Sequence, residues 1–97
     1  MLQDLTSSSF SEHLGSTFRI QLGDGKSLDA ELFQVLLHEA HGGPRKQPFS
    51  AHFRGPKGAT LPQGIYRMEH ERMEPIELFL VTIGPDEKGM RYEAVFN

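Results

Sequence analysis

Residues 17–37 read TFRIQLGDGKSLDAELFQVLL, and this stretch decides the fold. Phe18, Ile20 and Leu22 alternate with Thr17, Arg19 and Gln21, the period of two that marks a half-buried strand. Gly23-Asp24-Gly25 follows, a tight-turn signal between two strands. Leu28, Ala30 and Leu32 alternate with Asp29 and Glu31, and then the apolar parity flips to Phe33, Val35 and Leu37. A strand cannot change its buried face without an extra residue. The pattern therefore predicts a β-bulge near Leu32–Phe33, or else a short break between two strands.

On the N-terminal side, Ser9-Phe10-Ser11-Glu12 fits a capping box and Gly15 a left-handed stop, predicting a short helix over residues 9–14 with Phe10 and Leu14 on one face. On the C-terminal side, residues 38–48 (HEAHGGPRKQP) and 55–64 (GPKGATLPQG) read as loops, on either side of a strand in which Phe49, Ala51 and Phe53 alternate with Ser50, His52 and Arg54. A strand over 65–70 places Tyr66 and Met68 on one face, and residues 71–75 turn. Residues 76–83 are apolar on both parities, which predicts the most central strand, covered on both sides. After a turn at 84–89, Met90, Tyr92, Ala94 and Phe96 alternate to the end.

About six strands at this spacing argue a single all-β domain over residues 1–97, a small antiparallel barrel or sandwich opened by a short N-terminal helix. The expected core is Phe18, Ile20, Leu22, Leu28, Val35, Leu37, Phe49, Phe53, Tyr66, Met68, Leu78, Leu80, Tyr92 and Phe96.

The 97 residues allow one core and no separate cofactor domain, because a chain this short buries only roughly 60–65% of its unfolded surface. Net charge is −3, which gives no support to a nucleic-acid or membrane-surface role. There is no cysteine, which excludes disulfides, thiolate zinc sites, iron–sulfur clusters and thiol nucleophiles. A small secreted domain usually carries disulfides, so their absence points to the cytoplasm. Met1 reads as a native start, without the basic and apolar regions of a signal peptide. No apolar run approaches the ~18 residues of a membrane span.

Motifs for chemistry are sparse. His38-Glu39-Ala40-His41 has its histidines at i and i+3 and is followed by Gly42-Gly43-Pro44. A zinc-protease helix needs them at i and i+4. Glu69, Glu71, Glu74 and Glu77 are interleaved with Arg67 and Arg72, as on a solvated turn. Nucleophile elbow and phosphate-binding loop are both absent. Arg45, Lys46, Arg54 and Lys57 gather basic charge near Phe49 and Phe53.

Taken in order, Leu14-Gly15 with Phe18, Pro48 to Pro56, Leu61 to Tyr66, Leu78 to Val81 and Tyr92 to Asn97 resemble a family of small bacterial β-domain proteins of unknown function. That family is associated with loci encoding phage-tail-collar-like fibre proteins. The resemblance implies a compact β domain with no assigned catalytic residues and a structural or accessory role.

The leading reading is thus a non-catalytic structural or protein-interaction module, needing no cofactor and no metal. Its partner is a protein, with neither nucleic acid nor membrane expected, and a homo-oligomer is compatible. The expected contacts are His38, His41, Arg45 and Lys46 in one loop and Arg54 and Lys57 at the start of the other, an uneven basic charge suited to an acidic surface. Behind this stand a metal-binding protein or enzyme using the His38/His41 loop with Glu39, and a single-stranded nucleic-acid binder using residues 45–57.

Overall fold

The computed structural model describes residues 5–39 and 47–97. One short helix, α1 (Ser7–Ser11), precedes six strands: β1 (Thr17–Gly23), β2 (Lys26–Leu37), β3 (Phe49–Gly55), β4 (Gly64–His70), β5 (Met73–Pro85) and β6 (Met90–Phe96). They close into an antiparallel barrel in the order β1-β2-β3-β6-β5-β4. Closure resolves the choice between barrel and sandwich. Strands β1, β3 and β5 run one way and β2, β4 and β6 the other, so chain connections alternate between the two ends.

The β1–β2 turn uses left-handed backbone at Gly23, Asp24 and Gly25, conformations that glycine adopts without a steric penalty and aspartate tolerates. The bulge falls where the parity flips: Leu32 pairs with Phe53 and Gln34 with His52, leaving Phe33 as the extra residue of an unbroken β2. A second bulge is centred on Leu22, because Gln21 faces Ser27 and Gly23 faces Lys26. It turns Leu22 outward, 41% exposed, and so removes it from the expected core. Leu37 also leaves it, at 60% exposure, as the last residue of β2 on the barrel rim. In β5 the register shifts beside Pro75 and again at Ile83. Bulges suit both places, since they need no ladder donor from proline and add the twist that closure demands.

Side chains stopper the two ends. Helix α1 starts earlier than the capping pattern predicts, with Thr6 as N-cap; the Thr6 N–H donates to Ser9 Oγ at 3.0 Å, so Ser9 is the inner partner of the cap. The helix inserts Phe10 against the rings of Phe18, Phe49 and Phe96. Leu14 lies beyond the helix, exposed, and shares no buried face with Phe10. At the other end, residues 56–63 run from β3 to β4, strands on opposite sides of the barrel. The Tyr92 hydroxyl donates to the Ala59 carbonyl, Leu61 N–H donates to Thr82 Oγ1, and that hydroxyl donates back to the Leu61 carbonyl.

The core holds Phe10, Phe18, Ile20, Ala30, Leu32, Phe49, Ala51, Phe53, Met68, Leu78, Leu80, Met90, Tyr92 and Ala94, with Leu28, Val35, Tyr66 and Phe96 packed at its margin. The strand covered on both faces is β3, not β5. A closed barrel has no second layer to cover an apolar outer row, so the second parity of β5 faces solvent at Phe79. On β3 the outer row is polar, and neighbouring polar side chains bury it. The longest helix of the described residues is far too short to cross a membrane.

Candidate functional site

The outer face of β3 carries Ser50, His52 and Arg54, each engaged. His38, just past the end of β2, places Nε2 2.6 Å from Ser50 Oγ. His52 places Nε2 2.9 Å from Glu93 Oε2 and Nδ1 3.3 Å from Gln34 Oε1, its neighbours in register on β6 and β2. Glu93 therefore meets His52 across the strands. The guanidinium of Arg54 donates through Nε and Nη2 to the Asp86 carboxylate and lies 4.0 Å from the Phe33 ring centroid. That hydrogen bond draws the Asp86 carboxyl down to about 2 against the opposing effect of burial, with further help from the N–H groups of Lys88 and Gly89. Arg54 is thus largely committed within the fold.

Of the remaining expected contacts, His41, Arg45 and Lys46 lie outside the described residues. Lys57 is exposed in the connection at the far end of β3. The barrel does not gather His38, Arg54 and Lys57: it spreads them along β3 from one end to the other. Nor does it join His52 to His70, since β3 and β4 are not neighbours.

His70 instead forms a polar cluster where the chain enters β1. The Arg72 N–H donates to His70 Nδ1 at 3.0 Å, Ser16 Oγ lies 2.8 Å from His70 Nε2, and the Ser16 hydroxyl donates to the His13 carbonyl. The rings of His13 and Phe18 sit 4.4 and 4.6 Å from the His70 ring. Burial, then the nearby His13, lower the His70 pKa from its ordinary value; Glu71 opposes and Arg72 adds to the shift. A backbone N–H can only donate, so Nδ1 accepts and neutral His70 carries its proton on Nε2. A nucleophilic Ser–His pair requires the reverse, a bare Nε2 facing the hydroxyl and an acceptor behind Nδ1. The cluster is a structural clasp in this geometry. Among the described residues, no three His, Asp or Glu side chains converge as a metal site.

The feature that sequence reading missed lies outside β4, β5 and β6. Ile65 and Phe79 are direct cross-strand partners on outward parities, 70% and 52% exposed. Val81 pairs with Glu93 across β5 and β6; carrying that register on by two residues sets Phe79 beside Val95, which is 50% exposed. Val95 faces Ser50, and Ser50 faces Leu36. An apolar row thus crosses three adjacent strands. Its signal was present in the two apolar parities of residues 76–83, which were read as two buried faces. Arg67 and Glu77 face each other across the neighbouring outward position.

These features define a small, closed, internally stoppered β-barrel with an apolar row on its outer wall. The chain matches the domain of unknown function DUF6916 over residues 5–96 and belongs to that family. Neither a curated protein nor a solved structure matches it.

Proposed function

We propose that this domain is a non-catalytic protein-interaction module that docks through the outer wall of β4, β5 and β6. The observation that carries the reading is the row Ile65–Phe79–Val95, large apolar side chains on strands whose other face already fills the core. Scattered apolar residues on a surface need no explanation, but a contiguous row on neighbouring strands marks a contact surface. The internal hydrogen bonds of the His70 cluster support a role without catalysis. The resemblance to bacterial proteins from fibre loci favours an accessory role in a phage-tail-like fibre assembly, working in the cytoplasm where such particles are built. This wall, more than the basic loops, supplies the contact.

A photo-cross-linking amino acid at Ile65 or Phe79, introduced in the native host, tests this. The expected result is one discrete adduct from either position and none from exposed Ser27 on the opposite wall. Adducts formed only from Lys57 or Arg45 would move docking to the basic loops.

A further inference from the structure

A closed barrel has no free strand edge, so a contact on its outer wall is made by side chains. The β4–β5 ladder sets two outward pairs side by side. Ile65 faces Phe79 and, two residues along, Arg67 faces Glu77. The first pair is apolar, the second joins a cation to an anion, and all four side chains are exposed. Among the described residues, Arg67 contacts Glu69 through Nε at 3.3 Å and Glu77 takes part in no ion pair. A two-fold axis acts on such a ladder in a definite way. Let a second copy of the wall be laid over the first by rotation about an axis that runs along the strands, between β4 and β5. Each residue then faces the copy of its own ladder partner: Ile65 meets Phe79 of the second copy, and Arg67 meets Glu77. A two-fold contact requires this reciprocity. The wall is therefore complementary to itself in its apolar row and in its charged row.

We propose that the outer wall of β4 and β5 binds a second copy of this chain in a two-fold, face-to-face dimer. The inference rests on the docking reading above and names the occupant of that wall. Two Ile65–Phe79 contacts and two Arg67–Glu77 contacts form its centre, and Val95 lies at its margin. A partner surface of one sign would set a like charge against either Arg67 or Glu77. This chain carries both signs at the matching spacing. The apolar contacts supply the affinity and the charged ones fix the direction of the axis. An axis across the strands, along the row, would set Glu77 against Val81 and lose both ion pairs. Aligned strands are also the ordinary geometry of sheets packed face to face. Two convex walls touch over a small area, so the dimer is weak, with a dissociation constant on the order of 100 µM.

The test is sedimentation velocity of the full chain from about 5 µM to about 1 mM, since association follows mass action. The protein should shift from monomer toward dimer across that range, and Ile65→Glu should abolish the shift. Arg67→Glu and Glu77→Arg should each weaken the dimer by roughly tenfold, because both charged contacts become repulsive. Mixing these two variants should restore dimerisation at least to its original strength, since each reversed charge then faces the opposite sign on the other chain. Both variants keep a net negative charge, starting from −3, so general attraction between chains cannot produce that result. Nor can a change within either chain, which is the same before and after mixing. Variants that stay apart when mixed overturn the two-fold arrangement. A dimer that Ile65→Glu leaves intact overturns it too, because the contact then lies on another face. A chain that remains monomeric at about 1 mM overturns the second copy as occupant. The cross-linker at Ile65 then separates the two readings: an adduct with a different protein leaves docking on this wall standing, and no adduct removes both.

Discussion

The β3–β6 seam and the β1–β4 seam are made of similar residues and end in opposite conditions. Along β3–β6 the pairing is continuous, the inner face carries Phe49, Ala51 and Phe53 against Tyr92 and Ala94, and the outer face is sealed by His52 with Glu93 and Arg54 with Asp86. Along β1–β4 two pairs hold, supplemented by Gln21 donating to Glu69 and by the Ser16–His70 clasp at the closed end. The difference shows that ladder continuity depends on where the extra residues fall. Bulges in β2 and β5 lie within ladders that resume beyond them, and the β1–β2 ladder resumes after Leu22 with the single pair Gly23–Lys26 at the hairpin tip; the β1–β4 ladder ends before it, at Ile20 with Met68.

The largest expected effect breaks the tight side. Phe53 is fully buried and its ring meets Phe18 edge-on at 5.2 Å, so it joins β3 to β1 across the core. Phe53→Ala should lower stability by about 3–5 kcal/mol, read from denaturant unfolding. A loss below about 1 kcal/mol would mean that the barrel interior is not packed as described.

The next is steric. Gly55 ends β3 where the Tyr92 ring crosses it; a Cβ there would lie 2.8 Å from the Tyr92 hydroxyl oxygen and 2.9 Å from Cε2. Tyr92 is buried and its hydroxyl is tied to Ala59, so it has little room to yield. Gly55→Ala should cost about 1–3 kcal/mol, as overpacking does, and should loosen residues 56–63 before the sheet. Unchanged amide protection at Ala59–Leu61 would argue against that coupling.

The two seams also differ in how legible they were. Residues 17–37 disclosed their hairpin and their turn, and the flip in apolar parity narrowed residues 32–33 to a bulge or a break, between which the unbroken β2 decides. The Leu22 bulge left no such mark: Phe18, Ile20 and Leu22 keep perfect alternation, and only the register against Ser27 and Lys26 shows the extra residue. Residues 76–83 showed apolar character on both parities, but periodicity reports that a face is apolar and not what covers it. Conversely Ser50, His52 and Arg54 look like an exposed row, since burial by polar neighbours has no signature in one strand's own sequence. His70, Ser16 and His13 are brought together by closure between β1 and β4, a contact 54 residues apart in the case of Ser16 and His70.

A pH titration sharpens the weak side. The lowered pKa of His70 means that the unfolded chain takes up a proton, below its ordinary value of 6.5, before the folded chain does. By linkage, His70 contributes stability that is present above pH 6.5 and is lost as pH falls through the folded value. Protonation also requires Nδ1 to give up the Arg72 N–H. Unfolding midpoints measured from about pH 7.5 to about pH 5 should therefore fall, together with earlier exchange at Gln21–Gly23. His70→Gln, which removes the titrating ring, should flatten that slope. An unchanged slope would assign the acid sensitivity to another histidine.

The smallest effect is the most discriminating between the two seams. Leu22 looks like a core residue by alternation, yet as the bulge residue it is turned outward and lacks a ladder partner on β4. Replacing it with Thr introduces a β-branched side chain that favours extended backbone and removes apolar surface that is already 41% exposed. Leu22→Thr should change stability by no more than about 0.5 kcal/mol, with the slope of unfolding against denaturant unaltered. The alternative is sharp. If the ladder closed as the alternation implies, Leu22 would point inward above Ile20, and truncating it would cost on the order of a buried leucine, about 2 kcal/mol or more. A loss of that size would place Leu22 in the core and extend the β1–β4 ladder beyond Ile20 with Met68.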